Sequence, residues 1–324
     1  MKKTTWIASQ IKDLLTSFSA KNSRMKKRGF AAFCAAVCAL ALVTGCSSET
    51  DEPEGIVYDA GEWLIEGTTV RLYRGTETDV HVPVGVTEIG RRAFASRTKI
   101  AHVTLPDSVA VIGDYAFYGC TNLADMQLPE SVAMIGWYAF SGCKSLKSVA
   151  IPAKVTSIGE SAFWNCTSLE SVTIPASVEV IGDSAFRGCE NLTSVTIPAK
   201  VTAIGYNAFS NCTGLKSVTI PASVETIGDS AFRECSGHTE VTISEGVTEI
   251  GQYAFSSCSK LTTVAIPASV ESIGYDAFYC SSLTDVTYGG TQAQWDKIDK
   301  SWEIFPSRIS TITGKDGVKI NVGD

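Results

Sequence analysis

Histidine is scarce in this chain, which has three histidines among 324 residues. Several enzyme motifs are also missing from the sequence: a nucleophile elbow, an H-E-x-x-H motif and a glycine-rich phosphate loop. It has no C-x-x-C pair, so a structural zinc site is not expected. The many serines and threonines of the central region have no histidine to activate them. These absences predict a protein that is not an enzyme and that needs no metal or other cofactor.

A basic surface is also missing from most of the chain. Residues 1–45 carry eight Lys or Arg and one acid, which leaves 19 basic and 33 acidic residues, a formal charge of −14, for the rest. Nucleic acid selects basic surfaces, and so do anionic lipids. The composition therefore argues against nucleic acid as a partner, and against membrane binding through the folded part.

A long apolar run is missing too. The run over residues 29–44 has 16 residues, short of the 18 or more of a spanning helix, and follows the basic residues Lys26, Lys27 and Arg28. This pattern predicts an export signal within residues 1–45. A complete signal begins at Met25, which suggests that Met25 is the true start; a genuinely long N-terminal region is the alternative.

The segment "LVTGC" (42–46) resembles the lipobox of bacterial lipoproteins. The resemblance implies that Cys46 is lipidated and becomes the mature N-terminus; an ordinary secretory signal with a chance cysteine is the alternative. Ser47 implies passage to the outer membrane, although whether the anchor faces outside or the periplasm stays open. Residues 46–56 are acidic and predict a disordered tether.

Phenylalanine marks an internal repeat, and a period in this range predicts a solenoid. The repeat reads L-x-x-V-x-I-P-x-x-V-x-x-I-G-x-x-A-F-x-x-C. "LxxVxI" predicts a short strand that Pro175 ends, Gly182 predicts a tight turn, and "SAFRGC" predicts a short helical or 3-10 return. Nine such coils, at about 4.8 Å each, give a rod of roughly 43 Å. The nine phenylalanines, always 23 residues apart, are Phe94, Phe117, Phe140, Phe163, Phe186, Phe209, Phe232, Phe255 and Phe278.

"IPxxVxxIGxxAFxxCxxL" resembles the BspA-like, treponemal-type leucine-rich repeat of bacterial surface proteins, and the resemblance covers residues 79–289. The segment "YGGTQAQWDKI" (288–298) is similar to the segment that closes arrays in that family. The resemblance implies a right-handed solenoid without a catalytic site, with a role in adhesion or protein binding. The expected fold is an α/β repeat solenoid of nine coils with short strands, helical or 3-10 turns and terminal caps.

Both ends of the array have segments that predict caps. Residues 57–78 form the expected N-terminal β cap, with a hairpin in 61–75 that turns near Glu66 and Gly67. Residues 290–324 form the C-terminal cap, anchored by Trp295, Ile298 and Trp302. Such caps cover strand edges that otherwise invite aggregation.

Three departures from the repeat are visible. Arg97 replaces cysteine in the first copy, and one residue is missing before Cys280 in the last. In residues 235–244, His238 and Ser244 replace the leucine and the proline, which suggests a local bend. His238 is interpreted as a tolerated substitution rather than a ligand.

Eight cysteines lie in the array, at the same inward position of successive coils. The stacking keeps their Cβ atoms near the roughly 4.8 Å strand spacing, beyond the 3.5–4.5 Å typical of disulfides. We therefore interpret them as small buried fillers rather than disulfides. They are Cys120, Cys143, Cys166, Cys189, Cys212, Cys235, Cys258 and Cys280.

The outward positions of the strands are mostly Ser, Thr or Ala, such as Ser171 and Thr173. Asp79, His102 and Asp125 fall at one repeat position and predict a ladder of three, either a solvated edge or a weak metal or pH-sensitive site. Variety is concentrated around "IGxxAFxx" instead, where Trp, Tyr and Arg, the residues that dominate binding hot spots, recur. The candidate binding residues are Trp137, Tyr138, Trp164, Tyr115, Arg187 and Tyr206.

These aromatics either bind a partner or only cover the return turns. The sequence favours a non-enzymatic cell-surface lipoprotein at the bacterial outer membrane, whose solenoid binds a host or extracellular-matrix protein. A passive spacer of the cell envelope and a glycan-binding surface protein are the alternatives. The ligand and the oligomeric state do not follow from the sequence.

Overall fold

The computed structural model describes residues 57–59, 61–301 and 303–322. The predicted export signal, Cys46 and the tether lie outside these residues, as does Trp302. Among the described residues, none forms an apolar helix long enough to cross a membrane.

Each coil of the array contributes a short strand to one long sheet. The isoleucine of "IG" points inward from this strand while the residue before it faces solvent, which is the alternation that a half-buried strand needs. Neighbouring strands are parallel and in register, as where Ile158 pairs with Ile181 and Ile181 with Ile204. Numbered in chain order, the strands of the long sheet are β1 (Val57–Asp59), β2 (Trp63–Glu66), β3 (Thr69–Tyr73), β5 (Glu88–Ile89), β7 (Val111–Ile112), β9 (Met134–Ile135), β11 (Ser157–Ile158), β13 (Val180–Ile181), β14 (Ala203–Ile204), β16 (Thr226–Ile227), β18 (Glu249–Ile250), β20 (Ser272–Ile273) and β22 (Asp299–Lys300).

The "VxI" segments form a second side of each coil, which we call the Ser/Thr face. Its middle residue points inward and its neighbours point to solvent, as predicted from the pattern. An isolated bridge joins Ser171 to Ser194 where no regular strand forms. The strands of this side form three groups: β4 (Asp79–His81), β6 (His102–Thr104) and β8 (Asp125–Met126); β10 (Ser148–Ala150) and β12 (Ser171–Thr173); β15 (Ser217–Ile220), β17 (Glu240–Ile243), β19 (Thr263–Ile266), β21 (Asp285–Tyr288), β23 (Thr311–Thr313) and β24 (Lys319–Asn321).

The expected helical return turns do not form. The "SAFRGC" segment keeps i→i+3 bonds such as Arg187 N–H to Ser184 O, but the intervening amides donate to the next coil, as Phe186 N–H does to Ala208 O. Ser184 and Gly188 adopt left-handed conformations, so no two turns join into a helix. The described helix is limited to α1 (Gln292–Trp295) and a 3-10 turn (Lys315–Gly317), about 2% of the chain, and the α/β description is not confirmed.

The coil count also differs from the expected nine. Of the 13 strands of the long sheet, β1 and β2 pair antiparallel, which leaves eleven described strands in the parallel stack, consistent with a right-handed β-solenoid of about 11 coils. The extra strands, β3 and β22, come from cap segments that lack the consensus.

The core is a continuous column of apolar side chains along the axis of the solenoid. Nine of its members are the repeat phenylalanines, which are fully buried and stack nearly parallel, with Phe163 and Phe186 at 5.3 Å between ring centroids and 2° between planes. Gly182 packs closely against the preceding coil, because a Cβ there would lie 2.8 Å from Ile158 O.

The caps continue the aromatic column at both ends. The predicted N-terminal hairpin is present, with Gly67 in its turn at φ +58°, and Tyr73 packs 5.2 Å from Phe94. At the other end Phe305 lies 5.8 Å from Phe278 and stacks on Trp295, which is buried as predicted. Both ends of the apolar column are therefore covered by side chains.

The three departures are accommodated without a break in register. Arg97 stands at the first position of the cysteine column, and Cys280 is buried despite the missing residue. Ser244 donates its N–H to Ile220 O at 3.1 Å, a bond that proline cannot form. The long sheet is continuous through the expected bend, since Glu249 pairs with both Thr226 and Ser272.

Candidate functional site: the return-turn surface

The return turns display three side chains per coil in regular columns, because their backbone is fixed by hydrogen bonds to the next coil. The residue two before each phenylalanine has a positive φ, between 52° and 60°. Left-handed backbone is unusual for bulky residues, so its repetition in coil after coil shows that stacking imposes it. We call this set the left-handed column: Arg92, Tyr115, Tyr138, Ser161, Ser184, Asn207, Ser230, Tyr253 and Asp276.

Two tyrosines of the left-handed column stack on each other. The rings of Tyr115 and Tyr138 are 4.9 Å apart and 3° from parallel. The guanidinium of Arg92 lies 5.2 Å from the Tyr115 ring, and Trp164 meets Tyr138 edge-on at 6.3 Å. We call Tyr115, Tyr138 and Trp164, with Arg92, the aromatic patch.

The expectation that Trp137, Tyr138 and Trp164 share one patch is met for two of the three. Trp137 lies in the column three before phenylalanine, is 59% exposed, and has no ring against it among the described residues. Its backbone N–H donates to Asp114 Oδ1 at 2.9 Å. Trp137 therefore stands beside the patch as a separate exposed ring.

The remaining two candidates lie in a different place. Arg187 and the half-exposed Tyr206 line a shallow groove of about 430 Å³ that also contacts Trp164, with Arg233 at its far side. We call it the guanidinium groove. Sequence reasoning missed it because the groove depends on Ser210 standing between Arg187 and Arg233 in one column.

The Ser/Thr face has the predicted ladder of Asp79, His102 and Asp125, in register and exposed. Within the described ranges, no three His, Cys, Asp or Glu side chains come close enough together to hold a metal ion. The flat hydroxyl surface around Ser171 and Thr173 is exposed as expected.

The eight cysteines are buried free thiols, as the filler interpretation predicted. Each Sγ donates to the carbonyl of a phenylalanine in the preceding coil, for example Cys189 to Phe163 O at 3.3 Å. Burial raises the pKa of Cys120, Cys166 and Cys212 to about 12. A thiol with such a pKa is inert as a nucleophile.

The fold and the repeat define the protein as a leucine-rich-repeat solenoid. The family model of the BspA type leucine rich repeat region matches residues 74–193 and 179–301, with six copies. The chain belongs to this family, and the resemblance predicted from the repeat is confirmed.

Solved structures of bacterial proteins are similar to this chain. A leucine-rich repeat protein from Bacteroides ovatus ATCC 8483 is 29% identical with a TM-score of 0.65, over 79% of this chain and 67% of that one. A leucine-rich cell surface protein from Faecalibacterium prausnitzii A2-165 is 24% identical (TM-score 0.41, covering 79% and 99%), and a T. pallidum leucine-rich repeat protein is 25% identical (TM-score 0.43, covering 74% and 92%). No curated protein matches the chain.

Proposed function

We propose that this chain is a non-enzymatic, lipid-anchored surface protein of a bacterium, whose solenoid binds an extracellular or host protein through the aromatic patch. The observation that carries the proposal is the stacked set of Tyr115, Tyr138 and Trp164 on the return-turn surface. Leucine-rich-repeat solenoids are typically binding scaffolds without catalytic activity.

The patch has the chemistry of a protein-binding hot spot. Such spots are enriched in Trp, Tyr and Arg and are small compared with the whole interface. Here the rings are held in place before binding, because the backbone of Tyr138 is fixed by its N–H bond to Glu160 O and its hydroxyl reaches Glu160 Oε1 at 3.2 Å. Rigid rings lose little conformational entropy when a partner covers them.

Surface display is the part of the proposal that rests on the N-terminal segment. A lipid on Cys46 and the acidic residues that follow it place the solenoid on a tether outside the membrane. The passive-spacer alternative differs in one respect: it needs no partner for the patch.

The test uses the purified protein against immobilised extracellular-matrix proteins and mucins. A variant with Tyr115 and Tyr138 changed to Ala, which removes patch rings that are not part of the guanidinium groove, is expected to bind at least about 30-fold more weakly, because hot-spot residues each contribute about 2 kcal/mol or more. Tyr279→Ala removes an exposed ring from the other end of the array (53% exposed) and is the matched control. Circular dichroism reports whether both variants fold.

Undiminished binding by the folded Tyr115→Ala, Tyr138→Ala variant would contradict the patch, and a parent that binds nothing would favour the spacer. Display is checked separately by antibody staining of intact cells, in which Cys46→Ser is expected to abolish the surface signal.

A further inference from the structure

The guanidinium groove is a second site on the return-turn surface, formed where one column changes from large to small residues. In the column directly after phenylalanine, Arg187 and Arg233 flank Ser210. The two arginines are two coils apart, roughly 10 Å at the usual strand spacing. The small serine between them leaves a notch that a side chain of ordinary size would fill.

Mostly buried polar side chains line the floor of this notch. Asn207, Ser210 and Ser230 are 6%, 5% and 5% exposed and all three line the groove. The small surface that each of them shows therefore faces the open groove. A ligand in the groove could form hydrogen bonds to these groups in place of water.

The charge of the groove is opposite to that of the molecule. No carboxylate or ring within the described residues pairs with the Arg187 guanidinium. Arg233 contacts Glu234 at 3.3 Å, so the residues that line the groove carry a net charge of +1 on a body that carries −14. Asp183 and Asp229 flank Tyr206 in its column outside this lining, and their carboxylates accept the backbone N–H groups of Tyr206 and Gln252. A surface of this sign recognises an anion.

The walls of the groove are aromatic, and none of the described residues that line it is aliphatic. Trp164 and the half-exposed Tyr206 offer ring faces, and Asn165, Asn207 and Asn211 offer amides. Protein-binding pockets are instead mostly apolar. Aromatic faces, amides, hydroxyls and a guanidinium together suit a sugar ring that carries a carboxylate.

We propose that the guanidinium groove binds a carboxylated saccharide, with Arg187 on the carboxylate, Asn207 and Ser210 on ring hydroxyls, and Trp164 or Tyr206 against the ring. This site goes beyond the protein-binding proposal and lies in different coils from Tyr115 and Tyr138. Uronic acids and sialic acids share the chemistry.

Binding is measured by calorimetry on the purified protein with two probes, hyaluronan oligosaccharide and sialyllactose, which distinguish the two acid types. The parent is expected to bind at least one of them and not neutral dextran. Arg187→Ser should weaken binding by about 10-fold or more, since hydrogen bonds to a charged group are among the strongest. Serine is already present at this position in three other coils, at Ser141, Ser210 and Ser256, so the variant is expected to fold.

Two further variants separate the groove from general charge and from the patch. Ser210→Trp should fill the notch and abolish saccharide binding while leaving both arginines, whereas Arg91→Ser removes an equal charge outside the groove and should change nothing. Changing Trp137 and Tyr138 to Ala should leave saccharide binding intact even if protein binding is lost. Failure of the parent to bind either acid, equal binding of dextran, or full binding by Ser210→Trp would each overturn the proposal.

Discussion

His238 is the one buried imidazole in the described part of the chain, and it occupies a position where the neighbouring coils have Leu215 and Leu261. Its side chain is fully buried, and neither ring nitrogen has a hydrogen-bond partner there. Burial lowers the pKa of His238 from 6.5 to about 4. The repeat therefore tolerates this histidine only in its neutral form.

Stability should depend on pH through His238. Between pH 6.5 and 4 the unfolded chain binds a proton at this residue and the folded chain does not, so folding becomes less favourable as the pH falls through this window. The free energy of unfolding falls by up to about 3 kcal/mol, since each unit by which the folded and unfolded pKa values differ corresponds to about 1.4 kcal/mol. His238→Leu should remove this pH dependence, and should also stabilise the protein by about 1–3 kcal/mol at pH 7, because this position then buries no unpaired polar group.

Urea unfolding at pH 7 and pH 4.5 measures this difference. Adding Leu261→His to the His238→Leu variant places an imidazole at the same position one coil away, and it should restore the pH dependence. Equal pH dependence of the parent and His238→Leu would show that the carboxylates alone account for acid destabilisation.

At the scale of one element, the return turn shows how far the sequence predicts the structure. The inward Phe186, the close-packed Gly182 and the buried cysteines follow directly from the 23-residue period. The left-handed backbone at Tyr115 or Tyr138 does not, because nothing in these residue types favours it and only the neighbouring coil imposes it. Local reasoning therefore predicts a short helical or 3-10 turn where hydrogen bonding between coils produces linked turns.

Some features of the candidate site can likewise be predicted from the sequence and others cannot. That adjacent coils bring Tyr138 and Trp164 together follows from the repeat, and the ring contact at 6.3 Å agrees. The separation of Trp137 from them, and the notch at Ser210, depend on which column each side chain occupies. Those columns become visible only when the turn geometry is known.

The second left-handed position of the turn gives a stability test. Glu234 has φ +61°, whereas Gly119, Gly142 and Gly188 occupy the same position in other coils. Left-handed backbone costs a non-glycine residue about 1–2 kcal/mol, and glycine loses about 0.5–1 kcal/mol more backbone entropy on folding. Glu234→Gly should therefore stabilise the protein by about 0.5–1 kcal/mol, because the half-exposed ion pair with Arg233 contributes little.

The urea midpoint measures this effect. Arg233→Gly, one residue earlier and outside the left-handed set, is the control and should destabilise the protein by about 1 kcal/mol. A Glu234→Gly protein less stable than the parent would show that the turn holds glutamate without strain.

At the scale of the whole molecule, the solenoid is a one-dimensional stack in which each coil contacts only its neighbours. The repeat predicts the interior coils well because every consensus position recurs in the same register. It does not predict that β3 and β22 extend the parallel stack at its two ends, since the caps build these strands from unrelated sequence. In the C-terminal cap, Arg308 Nη2 donates hydrogen bonds to Cys280 O and Leu283 O at 2.6 and 2.8 Å. The repeat consensus does not predict these hydrogen bonds.

Such a stack should tolerate the loss of one complete coil. Deleting residues 171–193 removes 23 residues and joins Glu170 to Ser194, so that Phe163 stacks on Phe209 and the coil of Ile158 pairs with that of Ile204. Stability in a repeat array is a sum of coil and neighbour terms, so we expect a folded protein with a modestly lower melting temperature. Deleting only residues 171–182 puts the core positions out of phase, and that protein should fail to fold. Circular dichroism and thermal unfolding compare the two deletions, and an equal loss of stability in both would contradict the one-dimensional description.

The 23-residue deletion also removes Arg187 but keeps Tyr115, Tyr138 and Trp164, so it should lose saccharide binding while retaining protein binding.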